Sequence, residues 1–148
     1  MKIAIASDHA AYEMKETIKN YLKIEKGIDV IDLGANSSES VDYPDYAEPL
    51  GLMVTSKEVD FGIALCGTGI GMSIAVNKVK GVRGALCLYP TMAEFARKHN
   101  DANVLVLAGR LMGSDLAKLT VDTFLNTDFD GGRHKKRIEK IARIEKQN

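Results

Sequence analysis

A chain of 148 residues, 45 % hydrophobic and 27 % charged, has the size and composition of one soluble globular domain. A domain of this length buries roughly 70 % of the surface its unfolded chain exposes, so its fold needs no disulfide or metal staple. Twenty basic residues cancel twenty acidic ones, which leaves no net field to gather nucleic acid or an anionic membrane.

The chain opens on "KIAIAS" (2–7), an apolar run of strand length with no signal-peptide core or cleavage site around it. Its continuous hydrophobicity suits a strand buried on both faces of a parallel sheet. Ala11, Met14, Ile18, Tyr21 and Leu22 then follow a three-to-four spacing, with Lys15, Glu16, Lys19 and Asn20 expected on the wet side of a helix. "DVIDLG" (29–34) predicts a second strand. The helix expected after it meets Pro49, which removes a ladder donor and predicts a late start or a bend. "FGIALCG" (61–67) predicts the third strand and runs into glycines at 67, 69 and 71. "GALCLY" (84–89) and "NVLVLAG" (103–109) predict two more, with "MAEFARKHN" (92–100) as a helix between them. Ala117, Val121 and Leu125 repeat every four, flanked by Leu116 and Phe124, and the last segment, 133–146, puts Ile138, Ile141 and Ala142 on one stripe. Strands alternating with helices predict one three-layer α/β/α domain over 1–148, with a five-stranded parallel sheet and right-handed crossovers.

Open parallel sheets bind ligands beyond the carboxyl ends of their strands. Those ends gather Asp8, His9, Asp42, Tyr43, Cys66, Thr68 and Arg110. The glycine run matches no familiar loop. No lysine follows at the Walker offset, and Met72 stands where a dinucleotide fingerprint needs its third glycine. Met72 also occupies the arginine position of a Cys-x5-Arg phosphatase loop, and Gly69 the second cysteine of a Cys-x-x-Cys motif. What remains is a turn whose backbone N–H groups favour an anion or a developing oxyanion, and the thiolate form of a cysteine beside it. Cys66 there suits attack on a carbonyl or removal of a proton next to one. Its alternative is a small buried hydrophobe, which is the reading for Cys87.

"GGRHKKR" (131–137) sets cations where the last helix begins, against the helix dipole. A bound phosphate would relieve that penalty, and Arg133 and Arg137, four apart, share a face suited to one anion. His99, near a helix end, reads equally as a C-terminal cap. No His-x-x-x-His or paired-carboxylate cluster is present to hold a metal. The two cysteines lack zinc or redox spacing, so a reduced cytoplasmic protein without metal or cofactor is expected.

"SDHA", "VDYPDYA", "CGTGIGMSIAVNKVKGVRGA", "RKHNDANVL", the "GR" at 109–110 and "GGRHKKRIEKI" together resemble the type B ribose-5-phosphate isomerase family, from Ile3 to about Ile144. The resemblance implies a Rossmann-like homodimer, alone or paired into tetramers, with active sites shared between subunits. It implies metal-free interconversion of D-ribose 5-phosphate and D-ribulose 5-phosphate through a cis-enediolate. Cys66 would be the base, and His99 would open the sugar ring with Thr68 nearby to orient it. The amides of Gly67, Thr68, Gly69, Ile70 and Gly71 would stabilise the enediolate. Asp8, His9, Tyr43 and Asn100 would hold hydroxyls and the ring oxygen. Arg110, Arg133 and Arg137, with His9, would bind phosphate, the C-terminal arginines and His134 reaching the neighbouring subunit's site. Three rivals stand beside this reading: an isomerase of allose or galactose 6-phosphate, a non-catalytic sugar-phosphate-binding module, and a thiol redox protein.

Overall fold

The computed structural model describes residues 1–147; Asn148, the last residue of the expected domain, lies outside them. The chain runs through β1 (Lys2–Ser7), a 3-10 turn (His9–Ala11), α1 (Tyr12–Asn20) with a π-helical last turn (Tyr21–Glu25), and β2 (Asp29–Asp32). It continues through α2 (Pro44–Thr55), β3 (Phe61–Cys66), α3 (Ile70–Val76), β4 (Gly84–Leu86), α4 (Pro90–Asn100), β5 (Val104–Ala108), α5 (Ser114–Leu125) and α6 (Arg133–Lys146). All five strands pair in parallel, in the order β2-β1-β3-β5-β4.

Successive strand residues face opposite sides of a sheet, and here both sides are covered. Ile3, Ile5, Ile63, Leu65, Leu105 and Leu107 join the core under α1, α4 and α5. Ala4, Ala6, Ala64, Cys66, Val104 and Val106 join the core under α2 and α3. That double burial is why the strands read as unbroken apolar runs. Helix α1, after β1, covers one face, while α3, after β3, covers the other. A crevice therefore opens between the carboxyl ends of β1 and β3, the switch point where such sheets take their ligands.

Several expectations change. Helix α2 does not start late; it begins at Pro44 and continues past Pro49 to Thr55. Pro49 is exposed, so water can reach the carbonyl that lost its donor. Strand β4 is three residues long, pairing with β5 only from Gly84 to Leu86. The stripe on α6 is not buried by this chain: Ile141 is 47 % exposed and Ile144 58 %.

The largest correction is Lys15, expected in water and found fully buried. Its Nζ donates to both oxygens of Asp32, at 2.8 and 2.7 Å, and to Glu16 at 2.7 Å, while Lys19 reaches the same two carboxylates. Asp32 ends β2 and also accepts from the Gly34 N–H at 2.9 Å. Burial alone would raise the Asp32 carboxyl, but the hydrogen bonds from Lys15, Lys19 and Gly34 outweigh it and hold it below the usual range. Its stabilising contribution is therefore complete above the unfolded carboxyl's pKa, roughly 4, and is lost as pH falls through the lower folded value. Removing one partner of a buried pair costs about 3–5 kcal/mol, because the other charge is stranded. Asp32→Ala should lower the unfolding free energy by about 3 kcal/mol in urea titrations at fixed protein concentration, and adding Lys15→Met should return much of the loss. Equal stability of Asp32→Ala and wild type at pH 7 would contradict this role.

Candidate active site

The carboxyl edge of the sheet gathers one group of side chains. Asp8 follows β1, nearly buried, and its Oδ1 accepts from the Ala11 N–H at 3.2 Å, which caps the 3-10 turn carrying His9. His9 Nδ1 lies 3.1 Å from the Val41 N–H and 3.2 Å from the Val41 carbonyl. The backbone of one residue thus serves either tautomer, and Nε2 is left for a ligand. Cys66 closes β3, facing the α2/α3 core. The β3–β5 ladder continues past the strands, with the Gly109 N–H donating to the Cys66 carbonyl and the Arg110 N–H to the Gly67 carbonyl, both at 2.9 Å. This lays the Arg110 side chain over Gly67, where a Cβ would stand 3.3 Å from Arg110 Cδ.

The glycine turn is shaped by close approach. Gly69 precedes α3 in the left-handed region (φ 76°), and a Cβ there would collide with Leu86 and press on the Leu107 carbonyl. Thr68 Oγ1 accepts from the Ile70 N–H at 3.3 Å, steadying the turn. Gly71 lies against the ring of Tyr43, where a Cβ would sit 2.6 Å from Cζ. Beside these groups a cleft of about 540 Å³ opens between His9, Glu13, Gly109, Arg110 and Ser114.

A second group forms at α4 and α6. The His99 ring lies 4.9 Å from Phe95 at 31°, and 4.2 Å from His134 at 8°, face to face. Arg137 Nη1 stands 3.5 Å from His134 Nδ1, and the Asp130 N–H donates to the Lys98 carbonyl at 3.0 Å. Burial, then the charges of His99, Arg133 and Arg137, push the His134 imidazole down, and Asp130 opposes them. Asn100 ends α4, its carbonyl accepting from Arg83 Nε at 3.1 Å. Arg133 is the first residue of α6 and, like Arg137, is exposed.

These groups lie at opposite ends of the sheet. Helix α4 leaves the carboxyl end of β4 and returns its last residues to the amino end, where Arg83, just before β4, bonds the carbonyls of Asn100 and Asp101. Strand β5 then climbs from Val104, level with Gly62, to Ala108, level with Cys66, about 13 Å at 3.3 Å per residue. Among the described residues no hydrogen bond, ion pair or ring contact joins the two groups. Thr68 and His99, expected near each other, are therefore apart within one chain. Val41, Phe95 and Asp130 are functional neighbours that the sequence reading missed. Phe95 had a legible signal, lying four residues before His99 on one helix.

His99, Asp130 and His134 place ligand-type atoms within 4.8 Å of one another. Imidazole lone pairs lie in the ring plane, so two parallel stacked rings do not converge on one ion at the roughly 2.1 Å a metal needs. The cysteines do not pair either. Cys66 and Cys87 belong to cores on opposite faces and sit two strand spacings apart, about 10 Å, beyond the roughly 7 Å limit for a disulfide. Burial pushes the Cys87 thiol up to about 12, as befits a packing residue.

The sequence pattern of the ribose/galactose isomerase family matches residues 3–141. The chain belongs to the ribose/galactose isomerase family. Within this family it is 47 % identical over 146 residues to ribose-5-phosphate isomerase B of Escherichia coli, covering 99 % of this chain and 97 % of that one. A ribose 5-phosphate isomerase structure from Thermotoga maritima superposes with a TM-score of 0.94 at 63 % identity, over 96 % of this chain and 97 % of the other. Ribose-5-phosphate isomerase B of Mycoplasma genitalium, solved with bound ribulose 5-phosphate, superposes with a TM-score of 0.93 at 44 % identity, over 99 % and 97 %.

The two glycines separate shape from strain. Gly71 has no left-handed φ, so Gly71→Ala should fold normally while displacing the Tyr43 ring, raising KM several-fold with little change in Tm. Gly69→Ala, strained in backbone and packing, should lower Tm as well. Unchanged KM in Gly71→Ala would show that Tyr43 does not shape the ligand's place.

Proposed function

We propose that this chain is an aldose–ketose isomerase interconverting D-ribose 5-phosphate and D-ribulose 5-phosphate, at sites built by two copies of the chain. The observation that carries the reading is Cys66, held at the carboxyl end of β3 beside an amide-lined turn and Arg110. The fold and the family's sugar-phosphate chemistry support it. No helix among the described residues is long and apolar enough to cross a membrane, and two unpaired thiols suit a reducing cytoplasm.

The chemistry follows from the two groups. The hydrogen next to a sugar carbonyl is a feeble acid, so its removal needs a stabiliser for the developing oxyanion already in place. Cys66 takes the proton from C2, the C1–C2 bond becomes the enediolate double bond, and the carbonyl electrons move onto oxygen. Amides of the turn from Gly67 to Gly71 hold that oxyanion. The same thiol then returns the proton to C1, while the C2 hydroxyl proton passes to the C1 oxygen and leaves the C2 carbonyl of the ketose. Asp8 and Tyr43 bind sugar hydroxyls, while Arg110 and His9 Nε2 take the phosphate.

Ring opening needs an acid–base group besides those already engaged at the carboxyl edge, where Cys66 moves the carbon-bound proton, Asp8 binds a hydroxyl and His9 the phosphate. His99 and Asn100 of a second copy supply it, together with Arg133 and Arg137 for the phosphate. A two-fold pair satisfies both halves at once, since each chain lends its amino-edge group to the other. The exposed stripe at Ile141 on α6 suits that contact. Phosphate, remote from the bond changes, contributes binding energy that fixes the reacting carbons.

Cys66→Ala should still bind ribose 5-phosphate by calorimetry while kcat falls by about 10²–10⁴. Retained turnover removes Cys66 as the base. In the wild type, turnover of allose 6-phosphate markedly faster than that of ribose 5-phosphate would move the assignment to the six-carbon sugar.

A further inference from the structure

Helix α6 begins with a basic turn in which Arg133, Lys135, Lys136 and Arg137 are exposed. Between them His134 is 7 % exposed and is the one buried residue of the described helix. A leucine or phenylalanine would anchor the helix as well, so burying an imidazole here calls for a reason. The reason lies across the contact, where the buried ring meets another imidazole, that of His99, face to face at 4.2 Å.

The surroundings of His134 favour one chemical form. A guanidinium has only N–H donors, so a hydrogen bond from Arg137 Nη1 to His134 Nδ1, 3.5 Å away, uses Nδ1 as the acceptor. That bond suits a neutral ring with its hydrogen on Nε2. The groups facing it are His99 from α4, Asp130 from the loop before α6, and Arg133 and Arg137 from α6 itself. Three of these four are basic, and burial acts in the same direction, so the neutral form is favoured. Two imidazoliums stacked 4.2 Å apart would repel, so charging both rings at once is disfavoured.

We propose that His134 is a positioning residue for His99: stacked on it and held at Nδ1 by Arg137, it fixes the plane of the catalytic imidazole. This rests on the reading of His99 as the ring-opening group. The ring of His99 then has two aromatic neighbours, Phe95 one turn earlier on its own helix and His134 from α6. Such packing limits rotation of the acid, and a misplaced catalytic group loses rate rather than substrate affinity. It also ties the acid–base group to the phosphate-binding helix, so the basic turn and His99 move as one unit.

The test compares His134→Ala, His134→Phe and wild type with ribose 5-phosphate, alongside NMR titration of the histidine rings in the free protein. Loss of the ring should lower kcat about ten-fold or more with KM changed less than about two-fold, and the phenylalanine variant should recover most of the rate. In the wild type His134 should stay neutral, with hydrogen on Nε2, to lower pH than it does in Arg137→Gln. The proposal is overturned if phenylalanine is as damaging as alanine, if the loss appears in KM alone, or if Arg137→Gln leaves the His134 titration unchanged. Full activity of His99→Asn would instead sink the ring-opening reading, and the NMR result would still decide whether the pair behaves as described.

Discussion

A parallel sheet sends every strand the same way, and each crossover helix must carry the chain back to the amino edge before the next strand begins. In this molecule that rule separates the chemistry. Cys66 sits where β3 ends, and His99 sits where α4 returns. The carboxyl-edge group has a thiol, an amide-lined turn, Asp8, His9, Tyr43 and Arg110. The amino-edge group has two stacked imidazoles, Asn100 and two arginines. On the proposed function, one chain carries two half-sites at opposite edges of the sheet, which two paired copies would complete.

The supports of each half-site are distinct. At the carboxyl edge, Asp32 accepts from Gly34, the Gly34 carbonyl accepts from the Ser7 N–H at 2.7 Å, and the Ala35 N–H donates to the Ser7 carbonyl at 2.8 Å. The buried Lys15 thus steadies the strand end that carries Asp8 and His9. At the amino edge, Arg97 is packed between the rings of Phe61 and Phe124 and bonds the Ala102 and Thr127 carbonyls. It ties the end of α4 to the loop that leads to α6. Asp101 takes the left-handed turn after His99 and Asn100, held by Arg83 and Arg97. Polar groups nearly buried on both sides hold the site's residues without touching a ligand.

Much of the fold was legible because continuous apolar runs have one cheap home, a sheet covered on both faces. The five strands and the helices between them followed from that pattern, with edges shifted by a residue or more where pairing stops early. Lys15 was misplaced by residue type alone. It lies four after Ala11 and three before Ile18, on the buried stripe, and only the strand-end carboxylate of Asp32 explains how a charge survives there. Pro49 misled for the opposite reason, since its cost falls on an exposed turn where water can compensate. The candidate site was legible as a set of residue types and as a family resemblance. Its division between two edges was not, because spacing along a chain says nothing of which end of the sheet a returning helix reaches. The stacking of His134 on His99 was likewise hidden, depending on a helix more than thirty residues later folding back across α4.

Subunit mixing tests the shared site most directly. Cys66→Ala and His99→Asn chains, each inactive alone, are combined under conditions that exchange subunits. If each site takes Cys66 from one chain and His99 from the other, every mixed dimer regains one intact site, and random mixing should restore about a quarter of wild-type activity. If both residues act within one chain, the mixture stays as inactive as its parents, and the account of two half-sites is contradicted.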